Sequence, residues 1–66
     1  QAKIMFDQDK SIYDAIVKNV SAYGATLNVS STEQLPNAFK LLIVHDNITV
    51  PCQVKWRRAD SLGVAF

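Results

Sequence analysis

Apolar and polar residues alternate along most of the chain with a period of two. That is the spacing of a strand with one face on a core and the other in water. The clearest stretch is 48–57, where Ile48, Val50, Cys52, Val54 and Trp56 alternate with Thr49, Pro51, Gln53, Lys55 and Arg57. Pro51 falls on the polar face and has no N–H to give a ladder, so this strand should meet an edge or a bulge there. Residues 39–45 set Phe39, Leu41 and Ile43 on one face against Leu42 and Val44 on the other, a segment buried on both sides for part of its length. Asp46-Asn47 between the two segments predicts a two-residue hairpin, since both residues tolerate positive φ.

The first half of the chain has the same texture. Ala2, Ile4 and Phe6 share a face and lead into a polar turn, Asp7-Gln8-Asp9-Lys10. Ser11 to Val20 is β-rich, with Tyr13, Ala15 and Val17 facing one way and Ile12, Asp14, Ile16 and Lys18 the other. Ser21-Ala22-Tyr23-Gly24 interrupts it before Ala25, Leu27 and Val29 resume the alternation. A polar connection, Ser30 to Asn37, carries Pro36. After a turn at Ala59-Asp60-Ser61 the chain closes on Leu62, Val64 and Phe66 alternating with Gly63 and Ala65. About six short strands and little or no helix predict an all-β fold, a small antiparallel six-stranded barrel in which closure removes the exposed edges.

Composition narrows the classes. With 66 residues there is one domain, spanning 1–66. A hydrophobic share of 48% is too high for a disordered chain. Seven Lys+Arg against six Asp+Glu leave a net charge of +1, which gives no general pull toward DNA, RNA or acidic membranes. No apolar run approaches the roughly 18 residues of a spanning helix, so membrane insertion is not expected. One cysteine, Cys52, excludes an internal disulfide, and no basic region followed by an apolar stretch marks a signal peptide, so a cytoplasmic setting is the default. The first residue is Gln1 rather than Met, and the expectation is a chain trimmed at its N-terminus, with functional residues upstream.

Catalytic and metal chemistry find little material. His45 and Cys52 stand alone, with no metal-ligand spacing, and the expected cofactor set is empty. His45 reads as a hairpin-end surface residue and Cys52 as a small buried hydrophobe. No acid, base and nucleophile converge, so the chain is read as no enzyme. Two features remain. Asn19, Ser21 and Gly24 lie at a strand end, where such groups can read a heterocycle edge; by chemistry alone they are equally ordinary turn residues. Lys55-Trp56-Arg57-Arg58 sets cations beside an aromatic, but alternation turns Trp56 inward, away from Lys55 and Arg57.

These residues together resemble a PilZ domain. Asn19-x-Ser21-x-x-Gly24 is similar to that family's (Asp/Asn)-x-Ser-x-x-Gly motif, and Ala25-Thr26-Leu27 to its continuation. Cys52-Gln53-Val54-Lys55-Trp56-Arg57 followed by Leu62-Gly63-Val64-Ala65-Phe66 resembles the family's closing strands, Val-x-Trp and then Gly-Val-x-Phe. The resemblance covers nearly the whole chain. It implies a non-catalytic bacterial signalling module, a receptor for the second messenger cyclic di-GMP, working in the cytoplasm with a downstream effector protein. It implies that Asn19 and Ser21 contact a guanine while Gly24 shapes the turn, with Lys18, Trp56 and Arg57 as lesser lining residues. The family's second motif, Arg-x-x-x-Arg just before the first strand, has no match: no arginine precedes Arg57. Either those arginines lie before Gln1, or this is a divergent member that acts through protein contacts without nucleotide. The ligand's two phosphates suit guanidinium partners, so the 66-residue chain is expected to bind weakly or not at all, and a chain with two upstream arginines to bind it.

Overall fold

A computed structural model describes residues 2–66; Gln1 lies outside it. Six strands follow one another: β1 (Ala2–Phe6), β2 (Ser11–Lys18), β3 (Gly24–Asn28), β4 (Ala38–Ile43), β5 (Ile48–Arg57) and β6 (Ser61–Ala65). They close into an antiparallel barrel in the order β1-β2-β3-β6-β5-β4, with no helix among the described residues. The all-β barrel read from the alternation is therefore the fold.

Closure depends on two strands that change partners along their length. In β2, Ser11 to Ala15 pair with β1, and Ile16 to Lys18 pair with β3. In β5, Ile48 to Gln53 pair with β4, and Gln53 to Arg57 pair with β6. Pro51 lies opposite Lys40 in the part of β5 that pairs with β4 alone, the open side that a residue without N–H needs. The inward positions fill the barrel: Ile4, Leu27, Leu41 and Leu62 are fully buried, with Ala2, Ala15, Ala25, Phe39, Cys52 and Val64 around them. Phe6 stacks on Tyr13, ring centroids 5.6 Å apart.

Three expectations are corrected. Ile43 pairs with Ile48, so the β4–β5 hairpin has a four-residue loop, 44–47, and not a two-residue turn at Asp46-Asn47. The Asn47 N–H donates to the Val44 carbonyl at 3.2 Å, and only Asn47 in this loop has positive φ (54°), whereas a two-residue type I′ turn needs two such residues. The polar connection before β4 is also more than polar. Leu35 and Thr32 are buried there and close one end of the barrel, with the Thr32 hydroxyl donating to the Arg58 carbonyl.

The third correction bears on the site. A bulge between Val54 and Trp56 inserts Lys55 as an extra residue and reverses the alternation beyond it. Val54 pairs with the inward Val64, but Trp56 then pairs with Gly63 and Arg57 with the inward Leu62. Trp56, expected inside, therefore stands on the outer wall, 43% exposed. Arg57, expected outside, turns to the barrel end. Its guanidinium donates to the carbonyls of Thr32 (2.7 Å), Leu35 (2.7 Å) and Pro36 (3.3 Å) and to Asn37 Oδ1 (2.9 Å).

Candidate ligand-binding site

β2 ends at Lys18 and β3 starts at Gly24, and the turn between them is built by its own polar residues. Asn19 adopts a left-handed backbone (φ 52°), a conformation that asparagine accepts more readily than most residues. The Ser21 N–H donates to the Gly24 carbonyl at 2.8 Å, and the Ser21 hydroxyl accepts from the Tyr23 N–H at 3.2 Å. The same hydroxyl lies 3.4 Å from the Gly24 carbonyl as a donor. The Phe66 N–H, donating to the Tyr23 carbonyl at 2.9 Å, fastens the turn to the end of β6. Ser21 thus organises the turn, while the exposed Asn19 carboxamide has no hydrogen-bond partner among the described residues.

Gly24 is required for a reason that the sequence did not suggest. Its φ is not positive, so it is not the left-handed residue of this turn; Asn19 is. A Cβ at Gly24 would instead lie 2.2 Å from the Val64 carbonyl oxygen. Only glycine lets β3 come this close to β6. Gly63 serves a similar purpose on β6, since a Cβ there would lie 2.1 Å from Trp56 Nε1. The indole occupies the space where that Cβ would stand.

The registers then assemble a row across the outer wall. Lys18 pairs with Thr26, Thr26 with Gly63, and Gly63 with Trp56. Along this row runs a shallow groove of ≈ 380 Å³ whose lining includes Asn19, Ser21, Gly24, Thr26, Lys55 and Trp56. Four of the six residues singled out in the sequence meet there: Asn19, Ser21, Gly24 and Trp56. Lys18 stands at its edge as the partner of Thr26. Arg57 is not in the lining and is held by the barrel-end connection described above.

No carboxylate lines the groove, and Lys55 is in it. The ion pairs among the described residues are Lys3–Asp14 and Lys40–Asp9 (3.1 Å), so Lys18, Lys55 and Arg58 carry charge that no acid neutralises. Arg58, the last of the cations beside Trp56 in the sequence, places its guanidinium carbon 5.4 Å from the centre of the Trp56 ring. A larger hollow of ≈ 640 Å³ opens where β2 parts from β3, but the charged pair in its lining, Lys3 and Asp14, is self-compensated. Cys52 is buried, and burial pushes its thiol up to about 11, which leaves it protonated and inert near neutral pH. His45 is exposed in the hairpin loop.

The architecture is that of a small closed barrel with a shallow groove on its outer wall that holds Lys55 and no carboxylate. The PilZ domain model matches residues 1–66, the whole chain, and the protein belongs to that family. PilZ domains are, as a family, cyclic di-GMP receptors with a binding or regulatory role. No curated protein and no solved structure gives a significant match to the chain.

Proposed function

We propose that this chain is a non-catalytic, cytoplasmic regulatory module of bacteria that binds cyclic di-GMP in the groove on its outer wall and passes the signal to an effector protein. The observation that carries this reading is the meeting of the Asn19–Gly24 turn with Trp56 in one groove, although they come from opposite halves of the chain. The Asn19 carboxamide offers two donors and an acceptor to a guanine edge. Trp56 offers an aromatic face of the kind on which bases stack. Lys55 and Lys18 contribute charge attractive to a phosphate.

Amide chemical shifts followed during titration with cyclic di-GMP test this. Perturbations are expected at Asn19, Ser21, Tyr23, Thr26 and Gly63 and at the Trp56 indole. Perturbations confined to Ile16, Asn28 and Ser30 around the larger hollow, or none at all even in a chain extended by Arg-x-x-x-Arg, would contradict it. A second reading, in which the domain works through protein contacts alone, draws on Ile12 and Ile16, which are 57% and 53% exposed on the outer face of β2. If partner-dependent output survives the double change Asn19→Ala, Ser21→Ala, this second reading is the mechanism.

A further inference from the structure

The reading above leaves the phosphates of the ligand with ammonium groups only. We propose that Arg58 is a phosphate-binding residue of this site, parked on the Trp56 ring in the free protein and exchanged for a base when a nucleotide binds. This rests on the groove being a nucleotide site.

Arg58 is anchored through its backbone and free in its side chain. Its N–H donates to the Ser61 carbonyl at 2.8 Å, and its carbonyl accepts from the buried Thr32 hydroxyl. Its guanidinium has no carboxylate and no hydrogen-bond acceptor among the described residues; its contact is the Trp56 ring, 5.4 Å from the centroid. Arg57, one residue earlier, is the reverse case, with its guanidinium committed to four acceptors. The bulge at Lys55 creates the difference, because it turns Arg57 to the barrel end and Trp56 to the outer wall.

A cation on an exposed indole is held weakly. A purine that stacks on the same ring replaces it at little cost. The displaced guanidinium stays tethered beside the ring by its own backbone, free to meet a phosphate of the stacked nucleotide. Its planar fork can give two parallel N–H donors to phosphate oxygens, which a lysine cannot. The ligand class is therefore a purine nucleotide whose phosphate lies close to the stacked base. A neutral nucleoside would gain nothing from Arg58 and would have to displace it.

The chain contains one tryptophan, so Trp56 fluorescence reports on this ring alone. The test titrates cyclic di-GMP and guanosine into the wild type, Arg58→Ala and Arg58→Lys at low and high salt. Arg58→Ala is expected to weaken cyclic di-GMP about tenfold or more and to flatten the salt dependence of its affinity. Its affinity for guanosine is expected to be unchanged or higher. Arg58→Lys is expected to recover part of the salt dependence. Because the Arg58 backbone makes the anchoring bonds, both variants should keep the wild-type circular dichroism. Cyclic di-GMP affinity unchanged in Arg58→Ala, or an equal loss for guanosine, overturns the proposal and leaves the nucleotide site standing. No response to cyclic di-GMP, either of the wild type or of a chain extended by Arg-x-x-x-Arg, overturns both.

Discussion

Replacing Gly63 with alanine tests the seat of Trp56. A Cβ at this position would lie 2.1 Å from Nε1, 2.4 Å from Cε2 and 2.7 Å from Cδ1 of the indole. Ordinary contact is no closer than about 3.4 Å, and the backbone of β6 is held in the barrel by pairing with both β3 and β5. The indole must therefore shift off this glycine, and its complete detachment sets the upper limit of the cost. Trp56 is 43% exposed, so a little more than half of it is covered. For a side chain of up to ~250 Å² that is on the order of 140 Å². At ~25 cal/mol per Å², complete detachment costs about 3.5 kcal/mol. Losing glycine's freedom in the unfolded chain returns about 0.5–1 kcal/mol. The expected net loss is therefore up to about 3 kcal/mol, a large part of the ~3–10 kcal/mol typical of a domain this size. Urea denaturation followed by circular dichroism measures it, and Trp56 emission in the native state should move to longer wavelength. A Gly63→Ala protein within about 0.5 kcal/mol of wild type, with unchanged emission, would show that the indole does not rest on this glycine.

Arg57→Ala removes a guanidinium that holds the Thr32–Asn37 connection on the barrel end, and should cost about 1–3 kcal/mol in the same denaturation assay. Because Arg57 is outside the groove, affinity for cyclic di-GMP, measured well below the melting temperature, should not change. Burial raises the folded-state pKa of the Cys52 thiol from 9.0 to about 11, so in that interval the unfolded chain loses a proton that the folded chain keeps. The contribution of Cys52 to stability is thus fully present below pH ~9 and lost as pH rises toward ~11. Comparing denaturation midpoints of wild type and Cys52→Ala across this interval should show the steeper decline in the wild type. An N-terminal extension that carries Arg-x-x-x-Arg before Gln1 should tighten cyclic di-GMP binding about tenfold or more, as calorimetry would read, given the strength of guanidinium–phosphate pairs.

The strands were legible because the barrel has one inside and one outside. β1 was read with its observed bounds, Ala2–Phe6, and the inward set Tyr13, Ala15 and Val17 of β2 lies on the core side. What failed to show was whatever breaks the period. The bulge at Lys55 has no sequence signature of its own, and it brought Trp56 to the outer wall and turned Arg57, which stays exposed, toward the barrel end. A signal was nonetheless present: Gly63 on the closing strand is a place without a side chain, and a large aromatic opposite it can lie on the outer wall. Leu35 and Thr32 were hidden in a polar connection, because a barrel-end plug needs a single apolar side chain and no periodicity. Gly24 was read as a conformational glycine, whereas a contact from β6, some forty residues later, imposes it. The site turn was identifiable from its motif, but Arg58 was not, since its significance depends on where the bulge sends Trp56.

The most direct test of the account is a calorimetric titration of cyclic di-GMP into wild type and Asn19→Gly. Glycine accepts the left-handed backbone at position 19 (φ 52°), so this change removes the carboxamide and leaves the turn. The wild type is expected to bind weakly and a chain extended by Arg-x-x-x-Arg to bind more tightly, and Asn19→Gly in either to keep the fold and lose at least tenfold in affinity, the loss of about 1.4 kcal/mol expected for hydrogen bonds to a guanine edge. Equal binding with and without the Asn19 carboxamide would contradict the account, as would the absence of any heat from the chain extended by Arg-x-x-x-Arg.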